Sequence, residues 1–114
     1  MNQSIDTTGT CIDFDGADNI TFDCNYYNIT GDLSGSDNGI YLPDTGDGSN
    51  YNTVKNCNVS KFYIAITLES SNYSTIQNLI LYNNSNGMWT EGGPSNNIIS
   101  NIWADNEYGI YIYS

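Results

Sequence analysis

Apolar and polar residues alternate along this chain in short runs that stop at Asn, Gly or Ser. In "NITFDCNYYNITG" the apolar residues Ile20, Phe22 and Cys24 fall on every second position, the period of a strand with one buried face. No window of helical length carries an i, i+3, i+4, i+7 apolar stripe free of Gly and Asn clusters, so strands are expected throughout.

The runs repeat. "NTVKNCNVSKFYIAITLESSN" from Asn52, "STIQNLILYNNSNGMWTEGGPSN" from Ser74 and "NIISNIWADNEYGIYIYS" from Asn97 superimpose. Each has an aliphatic residue two places before an Asn, and the pairs Val54 and Asn56, Ile76 and Asn78, Ile99 and Asn101 follow one another at nearly equal steps. A small residue before an apolar one comes later in each, at Ala65-Ile66, Gly87-Met88 and Gly109-Ile110, at equal steps. Upstream, Gly39-Ile40 in "DNGIYL" supplies the same landmark ahead of Ala65-Ile66 at a longer step, and the loop "PDTGDGSN" absorbs the excess.

Short strands returning at such a period predict an all-β parallel β-helix of about five coils of ~22 residues, the first irregular. An antiparallel sandwich also yields evenly spaced strands, but it has no need for the same residue type at the same phase. The whole chain, 1–114, reads as one domain: a lead-in over 1–10, irregular first coils over 11–51 and regular coils over 52–114. Asn at equivalent turns tolerates left-handed backbone and can pair with the next Asn in a ladder. Whether Cys24 stacks with Asn56 or with Cys57 stays open at this stage.

Composition fits this architecture. The chain holds 18 Asn, 11 Gly and 10 Tyr, poor material for helices and good material for turns and stacked strands. With a formal net charge of −11 and only Lys55 and Lys61 as cations, binding to nucleic acid or to an anionic membrane is not expected. Nor is membrane insertion, because no stretch approaches the ~18 apolar residues of a span. The opening "MNQSIDTTGT" lacks the basic and apolar regions of a signal peptide. Three cysteines, Cys11, Cys24 and Cys57, match no zinc spacing, and no His completes a site. A disulfide from Cys24 to Cys11 or to Cys57 suits an oxidising compartment, while three thiols packed as small core residues are the other option.

"NITFDCNYYNITG" followed by "GIYL", then "TVKNCNVSKF" and Asn-rich coils ending in "GIYI", resembles the right-handed parallel β-helix repeats of the NosD type. These belong to the group called carbohydrate-binding and sugar-hydrolysis domains, with close versions in archaeal cell-surface proteins. The resemblance covers roughly residues 10 to 114. It implies a right-handed coil, which the spacing alone does not give. It leaves function open, since lyases, hydrolases, adhesins and structural proteins share the solenoid. Lyases of this fold use an arginine base, and polygalacturonase-like members use aspartates with His, Arg and Lys nearby; this chain has no Arg and no His. What remains for catalysis is paired carboxylates, with Asp13 and Asp15 on one side of a strand as the best candidate pair.

Calcium is the one candidate cofactor and suits these oxygens better. "DTGDGSN" offers Asp44, Thr45, Asp47 and Asn50 with two glycines to let the backbone bend, and "DFDGADN" offers Asp13, Asp15 and Asp18. The sequon N-x-S/T occurs at Asn2, Asn19, Asn28, Asn58, Asn72 and Asn83, with Asn72 and Asn83 in the most turn-like surroundings. Tyr26, Tyr27, Tyr51, Tyr63, Tyr73, Tyr82, Trp89 and Trp103 can form a face for sugar rings or for another protein. The apolar final segment, Tyr108, Ile110, Tyr111, Ile112 and Tyr113, is an edge that a second copy or further coils of the same protein can continue. The expected function is therefore a non-catalytic, extracellular or cell-surface module that continues or self-associates end to end. The alternative is a carbohydrate-binding module using a Tyr/Trp face, with a polysaccharide-degrading enzyme behind it.

Overall fold

The computed structural model describes residues 1–92 and 95–113 and contains strands and turns only. The strands are β1 (Ile5–Asp6), β2 (Ile12–Asp13), β3 (Thr21–Asp23), β4 (Asn28–Thr30), β5 (Asn38–Leu42) and β6 (Thr53–Lys55). Then come β7 (Asn58–Ser60), β8 (Ile64–Glu69), β9 (Thr75–Tyr82), β10 (Asn86–Glu91), β11 (Ile98–Asp105) and β12 (Tyr108–Ile112). All pairings are parallel. The chain winds through about five coils, stacking three strips of strand. The first strip is β3, β6 and the leading halves of β9 and β11; the second is β1, β4, β7 and their trailing halves. The third, a separate sheet, is β2, β5, β8, β10 and β12.

The repeat landmarks lie in register. Val54 pairs with Ile76 and Ile76 with Ile99, while Ile40, Ile66, Met88 and Ile110 form one inward column of the third strip. The small residue before that column has a steric cause. A Cβ on Gly39 would lie 2.6 Å from Ala65 O, and one on Gly87 would lie 2.6 Å from Gly109 O, so the carbonyl of the next coil occupies the space. The first ten residues, expected as a lead-in, supply β1, and Ile5 pairs with Ile29 inside the stack.

Asparagine makes the corners. Asn56, Asn78 and Asn101 all have positive φ, and each amide reaches the next: Asn78 Nδ2 donates to Asn56 Oδ1 and Asn101 Nδ2 to Asn78 Oδ1, both at 3.2 Å. Asp23 closes this ladder by accepting from Asn56 Nδ2 at 3.0 Å. A buried ladder runs beside it, where Asn52 N donates to Ser74 Oγ and Ser74 N to Asn97 Oδ1. Such ladders satisfy turn backbone that the strands cannot reach.

The interior is a narrow column of Ile29, Ile40, Leu42, Val54, Val59, Phe62, Ile66, Leu68, Ile76, Leu79 and Leu81, all buried. Each such apolar side chain contributes about 1.5–3 kcal/mol through burial. Cys24 and Cys57 are disulfide-bonded within it, and Cys11 is free. The register of β3 runs on past Asp23 and Lys55, with Cys24 N donating to Lys55 O at 3.0 Å, so Cys24 follows in the phase of Asn56 while its sulfur crosses to Cys57. Coil two has a longer corner here than coil three, because Asp23 pairs with Lys55 and Asn28 with Asn58.

Candidate functional site

The ends of the stack differ. At the start, Met1 packs against the core and its amine donates to Asp23 O at 2.6 Å, while Ile12 and Cys11 are partly covered. At the other end every residue of β12 is exposed. Ile110 is 44% and Ile112 73% exposed, yet Met88, the register partner of Ile110, is at 0%. Tyr108, Tyr111 and Tyr113 complete this exposed set.

The outward face of the third strip carries a second set. Register places Asp13, Tyr41, Thr67, Trp89 and Tyr111 in one outward column, with Glu69 beside Glu91 in the next. Trp89 stacks on Tyr111 with ring centroids 5.2 Å apart and lies nearly parallel to Tyr113 at 6.4 Å. Tyr41 OH donates to Glu69 Oε2 at 2.5 Å, and Trp89 Nε1 donates to Glu91 Oε2 at 3.0 Å. Burial, and then the Glu69 carboxylate, push the Tyr41 hydroxyl well above the usual tyrosine pKa, so it stays protonated as a donor. A groove of about 310 Å³ opens over Thr67, between Trp89, Glu69, Glu91, Asn86 and Tyr63. Tyr41, Glu69 and Glu91 were not among the candidates drawn from the sequence. The signal for the glutamates was there: each follows the apolar residue of its small-apolar landmark by three places, Glu69 after Ile66 and Glu91 after Met88, in phase with the repeat.

The acidic candidates disperse. Strand β2 ends at Asp13, and Asp15 follows in a left-handed turn at φ 48, so the two do not face a ligand as an alternating pair. Instead Asp13 Oδ1 accepts Asp15 N at 2.8 Å. Asp18 Oδ1 accepts Asn50 N at 2.6 Å, and Asn50 Nδ2 donates to Asp47 O, so both belong to ladder and turn bonding. Asp44 lines a depression with Glu69, Glu91 and Tyr113. Among the described residues no three His, Cys, Asp or Glu side chains gather at metal-holding distance. Thr45 lends its carbonyl to Gly48 N.

The sequons are also sorted by their surroundings. Asn72 spends Nδ2 on Asn50 Oδ1 and Ser70 O, and Asn58 spends Nδ2 on Tyr26 O and Asn28 Oδ1. Asn83, Asn28, Asn19 and Asn2 are exposed. A second aromatic pair, Tyr51 on Tyr73, stacks at 5.0 Å on a corner; Tyr26, Tyr27, Tyr63 and Trp103 are exposed, and Tyr82 is half-buried.

Parallel strips wound around one narrow column of aliphatic side chains define a β-solenoid. A family model described as the right handed beta helix region matches residues 2–114, and the chain belongs to that family. No curated protein and no solved structure gives a match.

Proposed function

We propose that the chain is a non-catalytic module of an extracellular or cell-surface assembly, joined end to end with further copies, the exposed edge of β12 seated on the β2 end of the next copy. The observation that carries this is the contrast between Ile110 and Ile112, exposed at the edge, and their buried counterparts Met88 and Thr90 one coil below. An apolar strand edge with unpaired backbone is a template for another chain. Gly109 supports the same reading. Its column elsewhere is kept small by the carbonyl of the next coil, yet a Cβ on Gly109 would meet nothing within 4 Å. A non-catalytic role draws support from the absence of Arg and His in the sequence, and an oxidising setting from the Cys24–Cys57 bridge.

Light scattering and negative-stain imaging over a concentration series, with and without millimolar calcium, test this proposal. Rods that lengthen with concentration and disappear in Ile112→Lys are expected. Because each copy carries a net charge of −11, added salt should favour them. A monomer under all these conditions would end the proposal.

A second reading, glycan binding on the outward face, is favoured by the stacked Trp89, Tyr111 and Tyr113. Tryptophan fluorescence that stays unchanged across a polysaccharide panel would remove it.

A further inference from the structure

Glu69 and Glu91 are directly opposed in register on neighbouring strands, and like charges so placed repel. No cation of the protein relieves them: among the described residues the single ion pair is Lys55 with Asp23, on the first strip. Each glutamate commits one oxygen within the protein, to Tyr41 OH or to the Trp89 indole N–H, and each is held in place by that bond. Among the described residues, two carboxylate oxygens are therefore left over.

The groove adds a third acceptor. Asn86 is only 7% exposed; its Nδ2 donates to Tyr63 O at 3.2 Å, while among the described residues its Oδ1 has no partner. Beside these oxygens lies an aromatic face. Trp89 uses one face against Tyr111, and its neighbour on the other side of the column is the small Thr67, where the groove opens. Thr67 interrupts the column between Tyr41 and Trp89, and its hydroxyl is turned away to Asn38 Oδ1 at 2.7 Å.

Three acceptors, two of them anionic, beside an indole face suit a compact organic cation. An ammonium carries three donors and is attracted to the face of Trp within about 6 Å. A hard divalent cation would ask for six to eight oxygens, which this groove does not assemble. We infer that the groove over Thr67 binds a primary ammonium group, held by Glu69, Glu91 and Asn86 against the face of Trp89. The ammonium can belong to an amino sugar with a free amine or to an aliphatic polyamine. The inference shares its face of the solenoid with the glycan-binding reading, and the test separates the two.

The probes are a glucosamine oligomer, its fully N-acetylated counterpart of equal length, and putrescine. Each is titrated by calorimetry, and by tryptophan fluorescence in a Trp103→Phe background so that Trp89 alone reports. The two amines should bind and perturb Trp89, and the acetylated oligomer should not. The double variant Glu69→Gln/Glu91→Gln should weaken amine binding at least tenfold. Asp15→Asn/Asp105→Asn, which removes the same charge from exposed positions elsewhere, should change it less than twofold. The tighter of the two amines identifies the source. Equal binding of the acetylated oligomer would overturn the ammonium and leave glycan binding standing. Equal losses in the two double variants would overturn it in favour of the general field of an acidic chain, and silence from all three probes would overturn it outright.

Discussion

The disulfide sits where the stack is least regular. Between coils two and three Thr21 pairs with Thr53, Asn28 with Asn58 and Asn38 with Ile64. Each of these steps spans more chain than its counterpart one coil later, where Thr53 pairs with Thr75, Asn58 with Ile80 and Ile64 with Asn86. Longer loops leave more chain entropy to be lost when these coils close, and Cys24–Cys57 removes part of that entropy in advance, across a sequence separation of 33. The chain-entropy relation for a loop of that size gives about 3.7 kcal/mol at room temperature. Both cysteines are fully buried, so reduction deletes no atoms from the core and leaves two thiols that pack as small apolar groups.

Urea unfolding followed by tryptophan fluorescence, with and without a phosphine reductant equilibrated through the unfolded state, measures the difference. At a typical denaturant slope for a small domain, about 3.7 kcal/mol moves the midpoint by about 2 M. Both arms are run in Cys11→Ser, which removes the free thiol that would exchange with the bridge once the chain unfolds. A shift below about 0.5 M would refute the reasoning, since the constraint would then be matched by structure retained in the unfolded chain.

Asn78→Ala removes two ladder bonds and places Ala at φ 56, so it should cost about 2–3 kcal/mol. Asn78→Gly keeps the backbone at ease and should cost about 1 kcal/mol less than Ala in the same denaturation assay, and the reverse order would sink the corner argument. Ala65 shows that its column accepts a methyl, so Gly87→Val is the sharper probe. Its branched side chain would meet Gly109 O and Asn106 Nδ2 and should cost about 1–3 kcal/mol, while Gly109→Val leaves monomer stability unchanged and weakens association. Equal melting losses in the two valine variants would contradict this. Asp23 and Asp32 hold their carboxyls below the usual 3.8, Asp23 chiefly through Asn25 N–H and Asp32 chiefly through the Ser34 hydroxyl. Their contribution is full above that value and fades as pH falls through the lower folded values, so the acid side of the stability curve should flatten in Asp23→Asn/Asp32→Asn. An unchanged acid side would remove these two groups from the account.

The solenoid was legible because a stack repeats its own constraints. Asn78 and Gly87 recur at one coil's spacing because each coil meets the same left-handed corner and the same neighbouring carbonyl. The earlier coils were harder to place, since the extra residues within 24–27 break the phase and only the folded corner shows which residues they displace. The groove was less legible still. Tyr41 and Trp89 stand in different sequence surroundings and share a column, on either side of Thr67, only when register is read across strands. Asp13 and Asp15 misled because alternation was carried past the end of β2 into a turn.

The two proposed surfaces are not independent, because they share the fifth coil. Trp89, the wall of the groove, rests on Tyr111 of β12, and β12 is the edge offered to a second copy. A copy seated on Ile110 and Ile112 holds β12 in place and so fixes Tyr111 behind Trp89 before any ligand arrives. The cost of ordering the groove is then met by association, and by reciprocity an amine that orders the groove must favour association by the same factor. Amine affinity should therefore rise with chain concentration across the range in which rods form, and putrescine should lower the concentration at which they appear. Ile112→Lys should abolish both trends while retaining the basal affinity of the dilute protein. An affinity constant across that range would mean that Tyr111 is already rigid in the single chain, and the coupling would be absent.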